Sequence, residues 1–156
     1  MPLFDLTLDE LRTYQPPLTR EPDFEQFWAR TLQQAAQTPP EPAFTPYDYP
    51  VRNATIYDVR YTGWGEARIA AWYIRPDGPG PFPAVVVYHG YGGSKGQPHQ
   101  HFVWTLQGYA VLAVDTRGQS GASTDPTVYS SGHVKGWMTA GILDPEEYYY
   151  RGAYVD

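Results

Sequence analysis

Ala84-Val85-Val86-Val87-Tyr88-His89-Gly90-Tyr91-Gly92-Gly93 decides the architecture: a continuous β-branched apolar run passes directly into a glycine-rich turn. A run without polar alternation is the pattern of a strand covered on both faces in a parallel sheet. A glycine turn at the carboxyl end of such a strand is where open α/β sheets place their ligands. The stretch predicts an interior strand followed by a functional loop.

On the C-terminal side, Phe102, Val103 and Leu106 read as a helix closing on a Gly108 cap, and Ala110-Val111-Leu112-Ala113-Val114 is a second apolar run. Strand, helix and strand form a parallel crossover. On the N-terminal side, Pro76-Asp77-Gly78-Pro79-Gly80-Pro81 is a turn cluster. Before it, Tyr57, Val59 and Tyr61, and then Ala67, Ile69, Ala71 and Tyr73, alternate with period two around Gly63-Trp64-Gly65-Glu66. This predicts an antiparallel hairpin. Pro39, Pro40, Pro42 and Pro46 exclude helix and central strand, so an extended connector is expected there. Phe24, Phe27, Trp28, Leu32 and Ala35 recur at helical spacing and predict an amphipathic helix over 22–37. Residues 116–136, rich in Gly, Ser, Thr and Asp, read as a long surface loop. Asp144-Pro145-Glu146-Glu147 has capping-box register and predicts a helix that runs on toward Asp156.

With 156 residues, the chain is one domain. Apolar residues at 42% against 18% charged exclude a disordered chain. Eleven Lys and Arg against 17 Asp and Glu give a net charge of −6, which excludes the basic footprint of a nucleic-acid binder. The absence of cysteine excludes disulfides, thiolate nucleophiles and cysteine-held metals. No apolar run is long enough for a membrane helix, and Met1-Pro2-Leu3-Phe4-Asp5 lacks the basic and apolar regions of a signal peptide. A soluble, cytoplasmic protein without a membrane partner is the expectation.

His89-Gly90-Tyr91-Gly92-Gly93 has two readings. Glycines there serve the geometry of a strand-to-helix turn. They also let backbone N–H groups aim at a developing oxyanion, in which case Tyr91 donates through its backbone rather than its phenol. Gly92-Gly93-Ser94-Lys95-Gly96 formally fits a nucleophile elbow, but Ser94 lies directly behind this loop rather than on a strand of its own, so a loop serine is favoured. His99 and His101 sit two apart at an expected helix start, where side chains diverge, and with His89 and His133 they complete the histidines. No metal site is expected. Asp115 and Arg117 read as charges that fix a loop, and Trp64 and Trp137 as exposed candidates for stacking on a sugar ring. Glu146 and Glu147 are adjacent residues of a first helical turn rather than a glycosidase pair.

The loop resembles that of the acetyl xylan esterase and cephalosporin C deacetylase family, carbohydrate esterase family seven of the α/β-hydrolases. Further stretches carry the resemblance: Pro2-Leu3-Phe4-Asp5-Leu6, Glu21-Pro22-Asp23-Phe24 with Phe27-Trp28, Gly108-Tyr109-Ala110-Val111, Asp115-Thr116-Arg117-Gly118-Gln119, and Gly141-Ile142-Leu143-Asp144-Pro145-Glu146 running into Tyr148-Tyr149-Tyr150-Arg151. Ser120 departs from the glycine of many relatives. The resemblance implies an α/β fold: the N-terminal half of an α/β-hydrolase, with a hairpin leading into parallel strands and crossover helices. Residues 1–156 then form a partial domain, of which 1–46 are a helical extension and connector.

By the same resemblance the activity is serine esterase removal of acetyl groups from acetylated xylo-oligosaccharides and related esters, including the cephalosporin C type, without cofactor or metal. Tyr91 is the expected oxyanion donor, His89, Gly90, Gly92 and Gly93 shape its loop, and Arg117 and Gln119 brace the adjacent one. The Gly-x-Ser-Gln-Gly-Gly elbow of the family is not among these 156 residues, so the nucleophile and its triad partners are expected beyond Asp156. A small acetylated sugar as substrate and assembly into a homo-oligomer, a hexamer in relatives, are the implied partners. The alternative is a truncated, non-catalytic carbohydrate-binding or interaction module.

Overall fold

A computed structural model describes residues 5–132 and 134–156. Pro2-Leu3-Phe4 of the first family stretch and His133 lie outside the described residues. Among the described residues five strands, β1 (Ala43–Pro46), β2 (Ala54–Thr62), β3 (Arg68–Pro76), β4 (Ala84–Tyr88) and β5 (Ala110–Val114), form one mixed sheet in the order β1-β2-β3-β5-β4.

The hairpin forms as its alternation predicts. β2 (Ala54–Thr62) pairs antiparallel with β3 (Arg68–Pro76), from Ala54 opposite Pro76 to Thr62 opposite Arg68. A 3₁₀ turn, Trp64–Glu66, joins them. Val59, Ala67, Ile69 and Ala71 share one buried face with Val114. Ile56, Trp72, Ile74, Val111 and Ala113 fill the opposite face, so β3 is covered on both sides. At about 25 cal/mol per Å² of apolar surface, this two-sided burial makes β3 and its neighbour the energetic centre of the sheet.

That neighbour is β5 (Ala110–Val114), antiparallel to β3 and parallel to β4 (Ala84–Tyr88). The crossover between the parallel pair is short: a 3₁₀ turn, Pro98–His101, runs into α3 (Phe102–Thr105). Gly108, at φ +89°, then turns the chain into β5, as a glycine cap should.

The expected interior position of β4 turns on both of its edges, and the described residues cover one of them. Among the described residues β4 is the outer strand, its residues alternate between exposed and half-buried, and Val86 and Tyr88 are 49% and 71% exposed. Composition fits a strand for burial, but burial needs a neighbour on each edge, and among the described residues β4 has only β5.

Two local readings change. The proline-rich connector is extended as expected, yet Ala43–Pro46 pairs with β2 as the opposite edge strand β1, where proline is tolerated. Asp144-Pro145-Glu146-Glu147 is a turn, not a helix start. The Asp144 carboxylate accepts from the Glu146 N–H at 2.9 Å, and its carbonyl accepts from the Glu147 N–H at 3.1 Å. Such Asx turns compete with helix for the same residues. Helix α4 begins later, as Tyr149–Ala153.

At the N-terminus, α1 (Leu8–Thr13) opens with a Thr7/Glu10 capping box, and α2 (Phe24–Ala35) falls inside the predicted span. α2 packs against α4. The buried Arg151 donates to Thr31 Oγ1 at 3.1 Å and to Gln34 Oε1 at 2.8 Å, and Trp28 meets Tyr154 with centroids 6.0 Å apart. Among the described residues, no helix is long and apolar enough to cross a membrane.

Candidate functional site

The glycine loop leaves the carboxyl end of β4 as a tight turn. Gly93 donates its N–H to Gly90 O at 3.0 Å, and Gly92 has φ +69° while Tyr91 does not have positive φ. That is the type II pattern, whose third residue needs positive φ and therefore favours glycine. The loop is exposed, with Tyr91 at 71%.

The segment after β5 holds this turn from below. Gln119 is buried, and its Oε1 accepts the Gly92 N–H at 2.8 Å. Ser120 donates its hydroxyl to Gly92 O at 2.7 Å and its N–H to Gly93 O at 3.2 Å. His89 joins the same two loops. Its Nε2 lies 3.0 Å from the Thr116 nitrogen and its Nδ1 2.8 Å from Gly90 O. A backbone N–H can only donate, so Nε2 accepts, and Nδ1 carries the proton given to Gly90 O. Both ring nitrogens are thus committed to backbone. The Tyr91 N–H, in contrast, has no acceptor among the described residues.

The β5 segment is itself fixed by buried charge. Asp115 is 1% exposed and accepts from the Lys95 and Ala122 N–H groups, while its carbonyl accepts the Ser123 hydroxyl at 2.5 Å. Arg117, 1% exposed, donates twice to the Asp156 carboxylate and once to Trp64 O at 2.7 Å, with Asp125 at 3.5 Å. Burial opposes the Arg117 charge, but Asp156 and Asp125 outweigh it and hold the guanidinium above its ordinary pKa. Burial also raises the Asp156 carboxyl, against the pull of Arg117 and of the Trp64 N–H that it accepts at 2.9 Å. Asp115 and Arg117 are therefore placed as loop-fixing charges, which is how their sequence context reads.

The other candidates disperse. Ser94 Oγ accepts the Gly96 N–H at 3.3 Å, and no histidine bonds to it among the described residues. His99 pairs with the Tyr49 hydroxyl, whereas His101 is buried against Lys95 O. Among the described residues, no group of three His, Cys, Asp or Glu side chains is placed to hold a metal ion. Trp64 is half-buried rather than exposed, because the Arg151 guanidinium covers its ring at 4.7 Å; Trp137 is 53% exposed. Glu146 pairs with Arg30 and Arg151, and Glu147 accepts the Ser130 N–H, which lowers its pKa. A surface groove of about 690 Å³ lies elsewhere, between residues 18–28 and α4, and none of the glycine-loop residues lines it.

Sequence reasoning missed Ser120, Asp156 and Tyr149 as parts of this site. Tyr149 gives its hydroxyl proton to Arg117 O at 2.6 Å and accepts from Gln119 Nε2 at 3.3 Å. These partners lie about thirty residues or more away in sequence, so local pattern carries no signal for them, although Tyr149 and Arg151 stand in a quoted family stretch.

The sequence profile of the family described as acetyl xylan esterase (AXE1) matches residues 1–156. A solved acetyl xylan esterase from Paenibacillus sp. R4 is 42% identical and superimposes with a TM-score of 0.88, covering 97% of this chain and 49% of its own. Acetyl xylan esterase 1 from Thermoanaerobacterium sp. JW/SL YS485 is 30% identical with a TM-score of 0.86, covering 97% and 48%. The chain thus spans about half the length of these relatives and corresponds to the N-terminal half of their α/β fold. On the profile match and on identities reaching 42% over nearly all its residues, the chain belongs to the acetyl xylan esterase family.

Proposed function

We propose that this chain supplies the oxyanion-binding loop of a serine esterase that removes acetyl groups from acetylated xylo-oligosaccharides and related small esters, the cephalosporin C type included. One observation carries the reading. In a turn whose Gly90 O, Gly92 N–H and O, and Gly93 N–H and O are held by His89, Gln119, Ser120 and the turn itself, the Tyr91 N–H has no acceptor among the described residues. Preorganised donors that need no rearrangement when charge develops are what stabilise a tetrahedral oxyanion.

In the reaction, a serine hydroxyl adds to the ester carbonyl as a histidine takes its proton. The carbonyl oxygen becomes an oxyanion, and the Tyr91 N–H donates to it. Collapse expels the sugar hydroxyl, protonated by the histidine, and leaves an acetyl-enzyme that water hydrolyses to acetate. The serine, histidine and aspartate are assigned to residues that follow Asp156 in the whole protein. The same reading assigns a cytoplasmic protein, without cofactor, that assembles as a homo-oligomer.

The turn type supplies a clean test. Proline suits the second position of a type II turn and lacks an N–H, so Tyr91→Pro removes the donor and keeps the loop. In the protein purified from its own cells, kcat for acetate release should fall about 100- to 1000-fold with KM little changed. Tyr91→Ala, which keeps the N–H, should retain most of the rate. An unaltered kcat in Tyr91→Pro would overturn the assignment.

A further inference from the structure

We propose that Tyr149 is a positioning residue for the glycine loop, acting through Gln119; the inference rests on the reading of Tyr91 as oxyanion donor. A carboxamide has a donor end and an acceptor end of nearly equal shape, so a buried glutamine must be told which way to face. Gln119 is 2% exposed and receives that instruction twice. At one end the Gly92 N–H can only donate, and so it requires the oxygen. At the other end stands the Tyr149 hydroxyl, also 2% exposed at the residue level.

That hydroxyl has a single proton, and Arg117 O takes it at 2.6 Å. What remains toward Gln119 are lone pairs, which require the amide nitrogen. The two demands agree. The reversed carboxamide would set its NH₂ against the Gly92 N–H and its oxygen against a hydroxyl whose proton is already given away. At the buried Tyr149 end the mismatch would stay unmet, and at the exposed Gly92 end the bond that holds the turn would be lost. Burial raises the Tyr149 phenol to about 12, so its proton is retained at neutral pH.

The consequence runs along covalent geometry. The Gly92 N–H belongs to the peptide unit next to the one that carries the Tyr91 N–H, so holding the first restrains the second. Tyr149 touches no substrate in this scheme. Its contribution is to keep Gln119 pointing upward, and with it the turn in which Tyr91 sits.

The test uses the protein purified from its own cells with Tyr149→Phe, Gln119→Ala and the double variant. Hydrogen exchange at the Gly92 amide is read alongside acetate release. Tyr149→Phe should speed Gly92 exchange about 5- to 10-fold, and Gln119→Ala at least as much. The double variant should add nothing beyond Gln119→Ala, because both act through one bond. kcat should fall about 10-fold in Tyr149→Phe with KM unchanged. Gly92 exchange unaltered by Tyr149→Phe but raised by Gln119→Ala would overturn the proposal, as would additive effects in the double variant. If Gly92 exchange responds as expected while Tyr91→Pro leaves kcat intact, the relay stands as structure, and it is the oxyanion reading that fails.

Discussion

Two loops leave the carboxyl ends of the parallel pair, and they are built in opposite ways. The loop after β5 is buried and saturated: Asp115, Arg117 and Gln119 are each 2% exposed or less, with their polar atoms engaged by backbone or by opposite charge. The loop after β4 is exposed and thinly held, and what order it has is borrowed from the first through Gln119, Ser120 and His89. A donor kept without a protein partner is held in place by a neighbour whose buried side chains are all engaged. Strain and unmet bonding are tolerated at a site when surrounding structure over-determines it.

The contrast can be broken most sharply at Arg117. Arg117→Ala leaves Asp156 and Asp125 buried without their cation, and breaking a buried pair in this way costs about 3–5 kcal/mol. Denaturant titration should show that loss as a lower midpoint. A loss under about 1 kcal/mol would mean that the β5 loop is no firmer than its partner.

Alkali sharpens the comparison at the next level. Burial raises Tyr149 to about 12 and raises Tyr61 and Tyr129 as well, above the value of about 10 for a tyrosine in an unfolded chain. The unfolded chain therefore releases these protons first. The stability they contribute is whole below about pH 10 and is lost as pH rises through 12, on the order of 2 kcal/mol for Tyr149 alone. Thermal melts from pH 8 to 12 should stay level and then fall. A flat profile throughout would show the tyrosines to be open to solvent.

The smallest effect is expected on the exposed side. Tyr91→Ala removes a side chain that is 71% exposed and should move stability by no more than about 0.5 kcal/mol. A change as large as that of Arg117→Ala, measured by the same titration, would erase the difference between the loops.

Much of this was legible in sequence because it is local. The hairpin follows from alternation, and Tyr57, Val59, Ala67, Ile69 and Ala71 fall on one face as their spacing requires. The two apolar runs became adjacent parallel strands, and the glycine turn sits where it was expected. The failures are those in which distance or competition decides. Asp144 carries the residue type of a helix cap, but its carboxylate closed an Asx turn first. Ser120 read only as a departure from relatives, and its hydroxyl bond to Gly92 O comes from a loop packed alongside rather than from the chain nearby.

The Arg117–Asp156 pair also reaches residues that carry no charge. A methyl group at Gly152 would stand 2.5 Å from an Arg117 guanidinium nitrogen, and one at Gly63 would collide with the Asp156 carboxylate. Neither glycine has positive φ, so each is required for its emptiness and not for its backbone. Charge and vacancy are therefore expected to be inherited together. A descendant that gave up the ion pair would be released at position 152, whereas at 63 a methyl would still meet Ile69 Cγ1 at 2.9 Å, so a side chain appearing at 152 would be the visible trace of a pair already gone.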